Sequence, residues 1–178
     1  MDLVPLGPVD PDLLRRLQKS LSRYLPLTIR ILPSKPLPPQ AYHVVRDQYH
    51  STGLLEYLLN NDDEDSYRIL GVTAADLYIP IFTFVFGEAQ LEGKAAVISL
   101  FRPSGAGAMR VSRQILIQRL TKLGVHELGH TFGLGHCRQP GCLMGFAENL
   151  AKLDNKDMEL CSYCRVLLED YLRNDLKT

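Results

Sequence analysis

Residues 126–136 read HELGHTFGLGH and contain three of the five histidines of the chain. Positions four apart on a helix lie on one face, about 6 Å apart along the axis, so His126 and His130 can present two imidazoles to one metal ion. Glu127 points away from that direction, where its carboxylate can take a proton from a metal-bound water instead of binding metal. For HExxH alone, a helix with two surface histidines remains the alternative.

Gly133 and His136 extend this pattern beyond the helix. A helix continued past Phe132 would carry the next side chains away from the ion, so the chain must turn before it supplies another ligand. Gly133 permits that turn because glycine adopts positive φ at little cost, and Gly135 adds further freedom. Three protein ligands leave one tetrahedral position open, which is typical of catalytic zinc. The pattern therefore predicts a catalytic zinc site with His136 as its third ligand.

The four cysteines of the chain all follow the histidines, in two closely spaced pairs. They are Cys137, Cys142, Cys161 and Cys164. Four thiolates in two short-spaced pairs are typical of one closed, tetrahedral structural zinc, which here would brace the segment that carries His136. An iron-sulfur cluster, two disulfides and a redox-active CSYC pair remain open as alternatives at this point.

The combined pattern HExxHxxGxxHCx4CxM…CxxC, spanning residues 126–164, resembles that of the archaemetzincin family of metzincin zinc peptidases. The resemblance implies that the three histidines bind a catalytic zinc and that Glu127 is the general base. It implies equally that the four cysteines bind a second, structural zinc, which makes two Zn²⁺ per chain.

The resemblance implies that Met144 is the methionine of the Met-turn, an apolar side chain that packs beneath the metal ligands. From the residues alone it is an ordinary core methionine, because methionine fills gaps in any core. In some metzincins a tyrosine follows this methionine and reaches the metal. Gly145 and Phe146 follow it here, so no such role is expected.

The fold expected from the resemblance is α+β. It is a metzincin-like zincin domain in which a mixed twisted sheet, a backing helix and an active-site helix lie above a small zinc-braced C-terminal subdomain. We expect one catalytic domain over residues 1–178, with an upper part of about 1–133 and a lower part of about 134–178.

Local patterns place the elements of this fold. Apolar spacing predicts a helix from Asp10 to Pro26 and a long helix that starts at Ser112 as its N-cap. Further predicted elements are a strand at 27–32, a helix at about 46–60, and strands at 67–72, 81–86 and 95–101. The acidic run 60–65 is expected to be a solvated loop, and the glycine-rich segment 104–108 lacks the lysine of a phosphate-binding loop.

Two of these predicted elements bear on how a substrate would bind. The substrate is expected to lie extended along an upper edge strand, which would be either 81–86 or 95–101. In the lower part, a C-terminal helix is expected to turn an apolar side inward, formed by Val166, Leu167, Leu168, Tyr171 and Leu172.

Composition sets the class of protein. The 178 residues are 46% hydrophobic and 22% charged, enough apolar content for a sizeable core. Twenty basic residues balance twenty acidic ones, so the chain lacks the charge that draws a domain to nucleic acid or a membrane surface. The first residues show no secretion signal and no apolar stretch is long enough to span a bilayer, which predicts a cytoplasmic protein. A monomer is favoured, although no pattern determines the oligomeric state.

The predicted function is zinc-dependent hydrolysis of peptide bonds in a peptide or protein substrate, with a zinc-bound water as nucleophile and Glu127 as general base. Two alternatives share the metal ligands. One is a zinc-stabilised binding module that recognises peptides without cleaving them, and the other is a hydrolase of non-peptide amides.

Overall fold

The structure is a computed structural model that describes residues 1–62, 65–105 and 111–175. Parts of the acidic run (63–64) and of the glycine-rich segment (106–108) lie outside the described residues. The strands are β1 (Asp2–Leu6), β2 (Arg30–Ile31), β3 (Tyr42–His43), β4 (Gln48–His50), β5 (Ile69–Thr73), β6 (Leu77–Tyr78), β7 (Gly87–Ala89) and β8 (Ala95–Ser99). The α-helices are α1 (Pro11–Leu21), α2 (Ser51–Asn60), α3 (Arg113–Thr131), α4 (Leu150–Asp154) and α5 (Ser162–Asp175).

The main sheet has five strands in the order β2-β1-β5-β8-β7. The first four strands run parallel, and β7 pairs antiparallel with β8 at one edge. Every residue of β1, β5 and β8 is buried, as expected for parallel strands covered on both faces. This mixed sheet with helices confirms the predicted α+β fold class.

Helices cover both faces of the sheet because the side chains of its central strands alternate between two hydrophobic clusters. On one face, Leu54 and Leu58 of α2 pack in the same cluster as Val4 and Val97. On the other face, leucines of α1 and α3 pack with the intervening strand residues. That second cluster continues into the lower part of the chain through Met144, Cys164 and Leu168 without a break.

Helix α3 begins as predicted and crosses α1 closely. The Ser112 side chain accepts a hydrogen bond from the Ile115 backbone N–H at 3.3 Å, so it caps the helix. Near its middle, Gly124 allows α1 to approach, since a Cβ at that position would lie 2.9 Å from Leu21 Cδ2. The last turns of α3 are thereby held against the sheet, and these turns carry the first two histidines.

Strand β1 was not predicted. Pro5, Gly7 and Pro8 are typical of turns, so the sequence does not predict a strand here. The structure nevertheless has a fully buried five-residue strand between β2 and β5. Pro5 fits because the pairing of β1 with β2 ends at Leu3, and the Pro5 carbonyl accepts a hydrogen bond from the Lys35 N–H at 2.9 Å.

Neither predicted substrate strand is an edge strand. Residues 81–86 form turns and bends with one isolated bridge, and Ile81 is 80% exposed. This apolar run was predicted to be a strand, but it is a surface loop. The 95–101 segment contains β8, which is an interior strand. The edge is β7, three residues whose sequence GEA is too short and too polar to predict a strand.

Three smaller expectations were also wrong. Helix α2 starts at Ser51 because the chain just before it forms β3 and β4 of a second, three-stranded sheet completed by β6. The strand predicted at 27–32 shortens to β2. On α5, Val166 and Leu167 are exposed, while Leu168 and Leu172 are buried.

None of the helices in the described part of the chain combines the length and the apolarity needed to cross a membrane.

Candidate metal centres and active-site cleft

The three predicted histidine ligands come together at the C-terminal end of α3. Gly133 adopts φ +81°, and its N–H donates to the His130 carbonyl at 2.9 Å, which closes the helix end as predicted. The turn returns His136 to the helix, with its ring centroid 5.3 Å from that of His126 and 4.9 Å from that of His130. One ring nitrogen from each histidine lies within 4.8 Å of the other two.

Hydrogen bonds orient two of these imidazoles. The Nδ1 atoms of His126 and His130 lie 2.9 Å and 2.7 Å from the carbonyl oxygens of Leu143 and Leu134. A carbonyl oxygen can only accept, so each Nδ1 carries the proton and each Nε2 exposes a lone pair.

These two lone pairs test whether the residues fit a zinc ion. The two Nε2 atoms are 3.1 Å apart with no proton between them, an arrangement that is repulsive unless a cation accepts both lone pairs. Two nitrogen ligands at about 2.05 Å from a tetrahedral zinc would be about 3.3 Å apart. The donor set and its spacing therefore fit zinc.

Burial keeps the three imidazoles neutral. It lowers the pKa of His126 to about 3 and lowers the pKa of His130 and of His136 below the ordinary value. A neutral imidazole is the form that binds a metal, so at neutral pH the site needs no deprotonation before it takes up zinc.

Glu127 lies in the same cleft as the histidines, 7% exposed, and no hydrogen bond joins its carboxylate to any other residue that the structure describes. Burial, and secondarily the charge of Glu88, raises the pKa of Glu127 to about 8. Edge strand β7 packs directly on it, because a Cβ added to Gly87 would lie 2.9 Å from Glu127 Cγ. Glu88 is held in turn by the Ser51 and Thr52 hydroxyls at the start of α2.

The four cysteines form a second cluster. Their Sγ atoms all lie within 4.8 Å of one another, and those of Cys137 and Cys161 are 3.8 Å apart. A disulfide would need about 2.05 Å, whereas two sulfurs bound at about 2.3 Å to a tetrahedral zinc would be about 3.8 Å apart. Backbone N–H groups of Gln139 and Cys161 donate to the sulfurs of Cys137 and Cys142 at 3.4 Å. This spacing fits one four-coordinate ion.

One short segment connects the two clusters. The Cys137 N–H donates to the Met144 carbonyl at 3.0 Å, and the preceding Leu143 carbonyl is the one that orients His126. Met144 is fully buried, and a Cβ added to Gly129 would lie 2.5 Å from its sulfur. Met144 therefore packs against α3 between the two helical histidines.

A cleft of about 410 Å³ opens over the histidines. Its upper wall is β7 with the loop before it, and its lower wall is the segment 143–156. Phe146 lies at the rim, 5.3 Å from the His136 ring and 6.2 Å from the Phe82 ring by their centroids.

Two lysines of this cleft, Lys122 and Lys156, were missed from the sequence. A signal existed for Lys122, which precedes His126 by one helical turn and shares its face of α3. No local pattern marks Lys156, or the Leu143 carbonyl.

The fold, with HExxH on a long helix and a third histidine beyond a glycine turn, defines the class of metzincin-like zinc metallopeptidases. Comparison with known proteins narrows this class to a family. The model of peptidase family M54 matches residues 16–170, and the chain belongs to that family. It is therefore a zinc metallopeptidase, which favours the predicted peptidase over a binding module without turnover.

Similar proteins carry the name that the sequence suggested. The archaemetzincin of Methanocaldococcus jannaschii is 37% identical over 93% of this chain and 90% of that protein. The archaemetzincin of Methanopyrus kandleri is 36% identical over 93% of this chain and 91% of its own. The crystal structure of the Methanopyrus kandleri protein superposes with a TM-score of 0.83 and covers 97% of this chain and 96% of that one. The resemblance to archaemetzincins is thereby confirmed.

Proposed function

We propose that this zinc metallopeptidase holds its catalytic zinc on His126, His130 and His136, and that Glu127 is its general base. The observation that carries the proposal is the pair of Nε2 lone pairs 3.1 Å apart, each fixed by a carbonyl oxygen behind its ring. A second, structural zinc on Cys137, Cys142, Cys161 and Cys164 completes two zinc ions per chain.

Zinc, when bound, supplies a water of lowered pKa and a Lewis acid that polarises the scissile carbonyl. Glu127 accepts a proton from the attacking water and delivers it to the leaving amine. Burial raises the pKa of Glu127 to about 8, and the positive charge of a bound zinc would act in the opposite direction and favour the ionised carboxylate that a base requires. The lack of a hydrogen-bond partner among the described residues leaves it free to approach the water.

Substrate binds along β7 in this proposal. This strand is the edge of the main sheet beside the cleft, so its outer side is available to pair with an extended peptide. Because Gly87 lies against Glu127, a peptide on this edge has its backbone beside the general base.

We also propose that residues 1–178 form a single domain, with the metal sites between its upper and lower parts. Support comes from the hydrophobic cluster that runs from Leu3 and Leu70 of the sheet to Cys164 and Leu168 of α5. A shared core of this kind resists separation of the two parts.

A peptide library derived from a whole proteome tests the function. It is incubated with zinc-loaded wild-type protein and with Glu127→Ala, and new termini are identified by mass spectrometry. We expect cleavages with the wild type that fall by about a hundredfold to ten-thousandfold in the variant while both proteins keep two zinc ions. Turnover within a few-fold of wild type in Glu127→Ala would show that another group is the base.

A further inference from the structure

Two lysines, the buried Lys122 and the half-buried Lys156, line the cleft beside the proposed catalytic site. Lys122 is 7% exposed, and its Nζ donates to the backbone carbonyls of Leu153 and Asp154 at 3.1 and 2.8 Å. The Nζ of Lys156 donates to the Gly145 carbonyl, with the Cys142 carbonyl 3.5 Å away. Their partners are therefore neutral oxygens.

Neither ammonium group forms a direct ion pair, although Asp154 and Asp157 act on Lys122, and Cys142 and Cys137 on Lys156, through longer-range charge interactions. Within the described ranges, no carboxylate lies at ion-pair distance from either lysine. Two nearby carboxylates have other direct partners: Asp154 accepts from Nε and Nη2 of Arg119 at 2.8 and 2.6 Å, and Glu148 pairs with Lys152 at 2.7 Å. Each lysine has three N–H donors and at most two carbonyl acceptors, so each retains one donor for a ligand.

The two lysines are also close to each other and to the histidines. The Leu153 carbonyl that accepts from Lys122 Nζ also accepts from the Lys156 backbone N–H at 3.3 Å. Burial lowers the pKa of both lysines, and the charge of Lys122 also acts to lower the pKa of Lys156. After burial and the charge of His130, the charge of Lys156 further lowers the pKa of His136.

One buried and one half-buried ammonium group that lack a direct ion pair favour a ligand that supplies a negative charge at hydrogen-bond distance. The cleft wall between them and the histidines contains Leu123, Leu143 and Leu153, which suit the carbon stem of a short side chain. An anionic group on an apolar stem is the chemistry that fits both features.

We propose that Lys122 and Lys156 form a subsite for a substrate carboxylate next to the scissile bond. This inference rests on the proposed function, because the histidine site defines where the scissile bond lies. The carboxylate comes either from an Asp or Glu side chain that flanks this bond or from a peptide C-terminus one residue beyond it. The first source makes the protein an acidic-residue endopeptidase and the second a carboxypeptidase.

Matched peptides test the subsite through the ratio of two rates. Peptides differ only by Glu or Gln at each residue that flanks the scissile bond, and a second pair ends one residue beyond it as a free acid or an amide. We expect wild-type protein to cleave one carboxylate form at least about tenfold better than its neutral counterpart, the scale of a hydrogen bond to a charged group. The pair that shows the preference identifies the source of the carboxylate.

Lys122→Met and Lys156→Met should each bring this ratio close to one, whereas Lys19→Met, an exposed lysine of α1, should leave it unchanged. The ratio separates recognition from structure, because a variant that merely disturbs α4 lowers both rates together and keeps their ratio. A wild-type ratio near one for both pairs, or a ratio that survives in both cleft variants, overturns the inference.

Binding separates a failure of the subsite from a failure of the proposed function. The same peptides are titrated into zinc-loaded Glu127→Ala protein, where turnover is not needed. We expect the favoured carboxylate peptide to bind about tenfold tighter than its neutral partner. Tighter binding of the carboxylate peptide without wild-type cleavage would contradict the peptidase mechanism and support the subsite. Cleavage of both peptides at equal rates and with equal affinity would support the peptidase mechanism and contradict the subsite.

Discussion

The histidine cluster and the cysteine cluster lie on one continuous stretch of chain, yet they differ in donor number and in access. The histidine cluster offers three nitrogens, one of them on the exposed His136, and it faces a cleft of about 410 Å³. The cysteine cluster offers four sulfurs, and Cys142 and Cys164 are buried in the core. Three donors that face a cleft suit a metal that must bind water and substrate, whereas four donors, two of them buried, suit a metal that holds the chain together.

The difference shows how one small region can serve both purposes. The backbone between Cys137 and Met144 carries a member of the cysteine cluster at one end and, at the other, the Leu143 carbonyl that orients His126. We therefore expect a metal ion at the cysteines to fix the position of His126 through these few residues. Four experiments test whether the two sites divide the work in this way.

Removal of a histidine ligand should give the largest effect. We expect His136→Ala to lower peptide turnover at least about a thousandfold, because the metal supplies several kcal/mol of transition-state stabilisation. The zinc content should fall from two ions to one while the thermal midpoint stays near that of wild type. Rate measurements, elemental analysis and calorimetry check these outcomes, and a large fall in the midpoint would erase the proposed distinction between the sites.

Removal of a cysteine ligand should act on stability. We expect Cys164→Ser to lower the free energy of unfolding by at least about 3 kcal/mol, since the binding energy of a structural zinc is folding energy. Denaturant titration measures this loss. Val166→Ala, an exposed position on the same helix, is the control and should change stability by no more than about 0.5 kcal/mol. Equal stabilities of Cys164→Ser and the control would argue against a structural metal.

Graded chelation compares the two sites in one sample. The open site should lose its ion at a chelator concentration on the order of a hundredfold lower than the closed site, because it has one donor fewer and solvent reaches it. Activity should therefore be lost when the first equivalent of zinc is removed, and the thermal midpoint should fall only when the second is removed. Loss of both properties at one chelator concentration would mean that the two ions are not independent.

A pair of glycines in the connecting turn gives the smallest effect. We expect Gly133→Ala to cost about 1–2 kcal/mol, because an L side chain is strained at φ +81°. Gly135→Ala is the control, since a Cβ there meets no atom within 4 Å, and it should be nearly neutral. Thermal unfolding of the two variants gives the comparison. Similar losses of stability in the two variants would show that the turn before His136 does not depend on the positive φ of Gly133.

Local patterns were sufficient wherever one helix or one turn defines the geometry. His126 and His130 share a face because the helix repeats every 3.6 residues, and Gly133 follows where a turn is required. The same reasoning fails for the sheet. The apolar run at 81–86 was predicted to be a strand and is a loop, while the polar β7 is a strand because β8 supplies its hydrogen-bond partners.

The sequence by itself determined that His126, His130 and His136 come together, since their spacing is short and depends on helix and turn geometry alone. Only the tertiary structure decided which strand is the open edge, which carbonyl orients His126, and that Lys122 and Lys156 meet in one cleft. These relations join residues that are distant along the chain. They follow from how α3, the sheet and the lower segment pack together, which no local spacing encodes.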